Sequence, residues 1–448
     1  MRGLVLVTVF AALLPFIFLE GPFIGILMWY WISLMNPQKD VWGGFFADLP
    51  YSMTIAVATL LAWLLSQRES KFPPANKTTG LLLLLGVWIS VTSVFGTGPP
   101  DQIYQNWNLA EKMLLMTVVA YTLTTSRVRL DQLIVVCVFS IAFYGIKGGV
   151  YTLLISHGAA RIYGPTGTMI GDNNDLGLAL TMTLPMMFYV RERAQKPAVK
   201  RLLLVLIGLT FLGDIFTYSR GALVALCAMG AMLWWRSRRK LAMTMMIAVA
   251  AIGVWNFAPP EWLSRMDTID TYQQDTSAED RLYFWRLAWA MAKKHPITGA
   301  GFHWSFDPAS VNAQLWGSGL RPLEIPRAPH SIWFEMLGAH GFPGLAIFIA
   351  IVASAAVDAQ WLIRRSRGDP DLLWANNLGR MAQAALIGYC AGGSFVTQAM
   401  YDGFYVLVII LAAARRIVAA ELARSNAVAR PAPALAGNRN QLRPQPTG

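Results

Sequence analysis

GFPGLAIFIAIVASAAVDAQWLIRRSR, residues 341–367, decides what kind of molecule this is. Residues 341–363 form an apolar run, and about 17–25 such residues are enough to cross the hydrocarbon core of a bilayer as a helix. Arg364, Arg365 and Arg367 follow at once. Lysine and arginine accumulate on the cytoplasmic side of membrane proteins, so these arginines orient the run as well as end it.

The same alternation fills the chain. Apolar runs occupy 51–67, 79–96, 108–126, 131–155, 172–190, 201–216, 219–235, 241–258, 378–398 and 403–420, besides the one quoted. Basic loops at 68–77, 127–129, 191–201, 236–240, 364–367 and 415–416 fall at every second junction. Placing each of them in the cytoplasm is self-consistent from residue 68 onward. Residues 1–36 are apolar but interrupted by Pro15, Gly21 and Pro22, and read as one broken span. The expectation is an all-α polytopic bundle of about 12 spans with both ends inside. Two full spans in the first 36 residues would instead make about 13 and put the N-terminus outside.

Composition agrees with a membrane protein. Of 448 residues, 55% are hydrophobic and 14% charged, and the mean hydropathy is +0.44. Soluble domains carry about 25% charged residues, so a single soluble core is excluded. The net charge of +12 follows from the basic inner loops and a basic tail. No basic stretch is interleaved with base-stacking aromatics, which argues against nucleic acid as a partner. Cys137, Cys227 and Cys390 all fall in apolar runs and make no disulfide framework or zinc spacing.

This divides the chain into a transmembrane bundle (1–258), an outer loop or cap (259–330), the C-terminal transmembrane helices (331–420) and a disordered cytoplasmic tail (421–448). The 259–330 segment far exceeds an ordinary connection, which points to function. Its charge is near balanced, with eight acids and seven Lys/Arg between Glu261 and Arg327. Residues 277–296 read as an amphipathic helix presenting Leu282, Trp285, Trp289 and Ala292 on one face.

Arginine is rare on the outer side, yet Arg161 and Arg220 stand there at membrane level. Each is either an interfacial anchor that snorkels to the headgroups or an anion clamp, since guanidinium matches phosphate in a bidentate fork. Tyr218 stands beside Arg220. His330 sits at the mouth of a span close to Arg327, where neutral imidazole suits a general base or a packing role. Glu335, farther along the next helix, would pair with an arginine or orient the histidine. His340 lies at a helix break and reads as structural. His303 and Asp307 have ligand spacing without a recognisable third ligand, so the non-metal reading is preferred. Asp172 and Asp175 either cap the following helix or contact substrate.

GDNNDLGLAL (171–180), TYSRGALVAL (217–226), HPITGAGF (295–302) and APHSIWFEMLGAHGFPGL (328–345) together resemble the O-antigen ligase/polymerase family of bacterial inner-membrane glycan transferases. GPFIGILMWYWISLMNPQ and WGGFFADLPY, between 21 and 51, resemble the subgroup of O-glycosylation ligases associated with exosortase systems. The resemblance implies a GT-C-like glycosyltransferase architecture with its active site on the periplasmic face. It implies an undecaprenyl-pyrophosphate-linked glycan as donor and a hydroxyl of lipid A–core as acceptor, with inversion at the anomeric carbon. It implies no cofactor, whether nucleotide or metal. By resemblance His330 is the general base, and Arg161 and Arg220, with Arg327 as a third, hold the pyrophosphate. Asp172, Asp175, Tyr218, Glu335 and His303 stand as supporting residues. A protein Ser/Thr acceptor, or a growing polymer, remains open by the same resemblance. A transporter of lipid-linked sugars is the remote alternative, and the absence of an inverted repeat argues against it.

Overall fold

The computed structural model describes residues 2–41, 44–237, 239–245, 248, 252 and 276–429. Among these, every regular element is helical. The first are α1 (Arg2–Leu13), α2 (Phe16–Leu19), α3 (Pro22–Met35), α4 (Gly44–Ala47), α5 (Tyr51–Leu65), α6 (Lys77–Val94) and α7 (Pro100–Leu123). Next come α8 (Arg127–Tyr151), which continues as a π-helical turn over Thr152–Ser156, α9 (Asn173–Arg193), α10 (Pro197–Ile215) and α11 (Arg220–Arg236). After them come α12 (Thr276–Lys294), α13 (Pro308–Gln314), α14 (Ile332–Arg365), α15 (Leu373–Gly393) and α16 (Asp402–Ala429).

Local chemistry marks several helix starts. The Asn76 side chain accepts from the amides of Thr78 and Thr79 at the head of α6, and Ser126 accepts from Arg129 at the head of α8. Each satisfies amides that a helix leaves without partners in its first turn. The bundle is knitted by α8 on α10, α9 on α15, α14 on α15 and α11 on α15. At the α8–α10 seam, a Cβ on Gly149 would run into the Leu209 carbonyl, so only glycine lets the two backbones approach.

Five helical segments have the length and apolarity to cross a membrane: Arg2–Leu19, Gly44–Leu65, Lys77–Val94, Arg127–Ser156 and Ile332–Arg365. Among the other long helices, α9 is more polar because it faces protein. In α9 nearly every residue from Leu176 to Met187 is buried, so its composition answers to neighbouring helices and not to lipid. Within the first 36 residues, Arg2–Leu19 alone has spanning length, while α3 is shorter and largely buried. Most of the apolar run 241–258 lies outside the described residues, as does the first part of the expected cap, up to residue 275.

The break in α14 shows how the fold satisfies its backbone. Gly341 has φ +69° and ψ −172° inside the helix, and Pro343 follows. Pro343 has no amide to offer the Ala339 carbonyl. The Phe342 amide turns instead to the Pro296 carbonyl at 3.0 Å. The stranded carbonyls of Gly338 and Ala339 then accept from Ala300 (2.9 Å) and Gly301 (2.8 Å). A Cβ on Gly299 would collide with the Ala339 backbone, so the 295–301 loop needs glycine to come this close. His340 is buried at this break, its Nδ1 2.7 Å from Thr92 Oγ1, in the structural role expected of it.

Above the break, α12 builds a second, smaller core. Phe284, Leu287, Ala288 and Met291 pack with Ala300, Trp304, Val311, Leu323 and Ala339. Leu282 and Trp289 are exposed, whereas the neighbouring stripe faces inward because the 300–323 loops lie on that side. The tail differs from expectation: residues 421–429 continue α16 as helix, and 430–448 lie outside the described residues.

At the opposite end of the bundle the Asp358 carboxylate, only 2% exposed, binds Arg415 at 2.6 Å and Lys77 at 2.8 Å. It thereby ties α14, α16 and α6. Asp358→Asn leaves two cations facing each other without their counter-ion. It should lower stability by about 2 kcal/mol, less than a fully enclosed pair because Lys77 and Arg415 stay partly solvated. Thermal unfolding in detergent would read this as a lowered midpoint, and an unchanged midpoint would count against the clamp.

Candidate functional site

Four chain segments meet at one end of the bundle. The first is the turn between α10 and α11. Tyr218 is buried in the left-handed region with φ +56°. Ser219 caps α11 by accepting from the Ala222 amide at 3.1 Å, which makes Arg220 the first helical residue. The second is the 157–175 segment. The Ile162 amide bonds to the Phe216 carbonyl at 2.9 Å, and the Tyr218 hydroxyl donates to the Gly158 carbonyl. The Arg161 guanidinium lies 5.9 Å from the centre of the Tyr218 ring. Arg161 thus lies over the ring of Tyr218, two residues before Arg220 in the chain.

The same segment supplies the start of α9. Asp172 is its N-cap, accepting from the Asn174 amide at 2.8 Å, and the Asn173 side chain donates to the Thr217 carbonyl at 2.8 Å. Asp175 hydrogen-bonds with Gln398. The capping role weighed for Asp172 is therefore occupied, while Asp175 instead points to a third segment, 394–399.

The fourth segment is 327–335. His330 has φ +49°, a left-handed conformation unusual for a residue with a Cβ. Its amide donates to Thr397 Oγ1 at 3.0 Å. The preceding carbonyl, of Pro329, accepts from Trp285 Nε1 at 3.0 Å, and Trp285 stacks on Phe334 with centroids 5.3 Å apart. The imidazole is reached by solvent yet crowded by protein, and this partial desolvation lowers its pKa from 6.5. Arg281 and Arg327 lower it further, and Asp172 opposes them. The ring is accordingly neutral at pH 7, the form able to accept a proton.

Other expected residues sit differently. Arg327 bonds to Asp280 at 2.7 Å, and Arg321 reaches the same carboxylate at 3.3 Å. The Glu335 carboxylate accepts from the Ala399 amide at 2.9 Å. Among the described residues its hydrogen bonds go neither to an arginine nor to His330, because the 394–399 loop lies over it. His303 is left-handed at φ +54°, with Nδ1 3.1 Å from Gln102 Oε1 and its ring stacked on Phe306. None of these contacts joins it to His330. Asp307 is the cap of α13 and accepts from Ser310 at 3.1 Å. No group of three or more His, Cys, Asp or Glu placed to hold a metal occurs among the described residues.

The 394–399 loop is the part that sequence reasoning missed. It was assigned to the apolar run 378–398, but α15 ends at Gly393. Trp333 Nε1 binds Ser394 Oγ at 2.9 Å, Thr397 takes the His330 amide, Gln398 takes Asp175, and Ala399 takes Glu335. The one local signal is Gly392-Gly393-Ser394, a helix-ending cluster.

Residues 177–349 match the family model described as O-antigen ligase. Residues 1–195 match a family of unknown function. No curated protein matches the chain. The ligase match contains Arg220, Arg327, His330 and Glu335, while Arg161, Asp172 and Asp175 fall in the N-terminal match. Residues 177–349, which hold the broken helix and His330, are thus similar to the O-antigen ligase family.

Proposed function

We propose that this protein transfers a glycan from undecaprenyl pyrophosphate to a hydroxyl of lipid A–core at the periplasmic face of the bacterial inner membrane. It would do so as a GT-C-like bundle of about 12 spans, with the 276–330 segment forming the outer cap and the basic loops in the cytoplasm. The observation that supports the reading is a solvent-reached histidine whose surroundings lower its pKa and whose charged neighbours include Asp172, the cap of α9, in the same segment as Arg161, which lies over the ring of buried Tyr218.

In this reading His330 takes the proton from the acceptor hydroxyl. The freed oxygen bonds to the anomeric carbon, and the bond from that carbon to the pyrophosphate oxygen breaks. The electron pair leaves with undecaprenyl pyrophosphate. Arg161 and Arg220 face that developing charge as fixed cations, which lowers the barrier because they need not reorganise. Arg327 contributes positive charge from its ion pair with Asp280. One displacement inverts the anomeric centre. Thr397 acts through the backbone, holding His330 in its left-handed conformation.

The direct test offers purified protein an undecaprenyl-pyrophosphate glycan and lipid A–core, with EDTA and no nucleotide. A mass shift on the acceptor is expected, and His330→Ala should reduce its rate about 10²- to 10⁴-fold. Full transfer by that variant would remove His330 from the role. Intact donor with no product would favour a protein acceptor, and a ladder of chain lengths would favour a polymerase.

Lysine replacing Arg161 or Arg220 keeps the charge but loses the fork. Each should raise the donor KM about tenfold. Unchanged donor kinetics in both variants would sink the clamp.

The rate should be level at neutral pH and fall as pH drops through the histidine's pKa, which lies below 6.5. Thr397→Val should lower kcat about tenfold with little change in donor KM, from the orphaned His330 amide. Thr397→Ser should restore kcat, because it restores the acceptor. A pH–rate profile with no acid limb, or a Thr397→Val variant with normal kcat, would contradict these roles.

A further inference from the structure

The face of α12 that the cap core leaves uncovered borders a groove of about 900 Å³, closed on its other side by the 314–320 turn. Three tryptophans line it: Trp285, Trp289 and Trp316. Trp316 is 91% exposed and Trp289 48%. Among the described residues its charged lining side chains are Arg286, Lys293 and Lys294. The Lys294 ammonium is held by the Gln314 carbonyl, which fixes the turn against the helix. Arg286 and Lys293 are exposed.

This lining selects its occupant. Indole rings offer rigid apolar planes at small cost in conformational entropy, and such planes match the C–H faces of sugar rings. The cations that line it select phosphate or carboxylate. The groove is also continuous with the site. Trp285 lines it and donates to the carbonyl of Pro329, the residue before His330, and Phe334, stacked on Trp285, lines it too. With the donor pyrophosphate assigned to Arg161 and Arg220, the groove lies open to the other substrate.

We infer that this groove is the docking site of the acceptor and that it takes an anionic oligosaccharide, with rings on Trp289 and Trp316 and acidic groups on Arg286 and Lys293. The assignment rests on the ligase reading for the word acceptor. The saccharide site itself rests on the groove.

The test uses the full chain in nanodiscs of zwitterionic lipid and fluorescently labelled pentamannose 6-phosphate, with neutral mannopentaose as its control. The phosphorylated sugar should bind about tenfold more tightly, and its advantage should shrink as salt screens the lysines and arginines. Trp316→Ala should weaken both sugars about fivefold. Lys293→Gln should weaken only the phosphorylated one, about threefold. Both side chains are exposed, so unchanged thermal midpoints are expected. In the transfer assay Trp316→Ala should raise the acceptor KM and leave the donor KM alone. Equal binding of the two sugars, or binding indifferent to both substitutions, overturns the proposal. So does dependence on Trp316 and Lys293 seen only for nanodiscs that contain phosphatidylglycerol, which would make the face a lipid-binding surface. Sugar binding without transfer by the native protein would reject the ligase reading and keep the groove. Normal transfer without sugar binding would reject the groove alone.

Discussion

The arrangement depends on two carbonyls that a broken helix cannot satisfy by itself. Where α14 kinks at Gly341 and Pro343, the oxygens of Gly338 and Ala339 lose their helical partners, and the amides of Ala300 and Gly301 replace them. In a low-dielectric setting an unmet backbone group costs several kcal/mol, so the 295–301 loop is bound to the kink by necessity. That loop follows α12 directly. Fixing it fixes the helix that carries Trp285, and Trp285 in turn holds the Pro329 carbonyl. A backbone requirement inside the bundle is thus transmitted to the residue that presents the imidazole.

At the other side of His330, the 394–399 loop does comparable work with side chains and one amide. It joins the starts of α9 and α14, which are far apart in sequence, through Gln398 and Ala399. Tyr218, His303 and His330 all occupy the left-handed region despite their Cβ atoms. Such conformations persist where surrounding contacts over-determine them, and at Tyr218 and His330 those contacts are visible as hydrogen bonds from both flanks. Arg281 and Arg327 act on the histidine from the α12 side, and Asp172 from the start of α9.

Much of this was legible in the sequence because hydropathy is a local property. The runs at 51–67, 79–96 and 131–155 coincide closely with α5, α6 and α8. Arg220 was legible as the residue opening an apolar helix, and His330 as the one preceding another. What was not legible depended on partners distant in the chain. The inward face of α12 was not legible, because only the placement of the 300–323 loops decides which stripe is covered. Glu335 was expected to meet a cation, but its partner is an amide 64 residues away. Thr397 stood in an apolar context that hid the end of α15. Helix α9 looked like any lipid-facing span, although its burial on almost all sides places it among proteins' interior helices.

The Asp358 cluster bears on how the chain is built. Its three members are made in the order Lys77, Asp358, Arg415. When α14 enters the bilayer its carboxylate has only the older lysine to neutralise it, and that lysine remains 41% exposed to solvent. The arginine that completes the set arrives only with the last helix. Synthesis therefore passes through a stage in which a buried acid is half-compensated, and seating α16 relieves it. Seating α16 is thus the step that completes the neutralisation of Asp358, and a chain cut short before residue 415 would lack it.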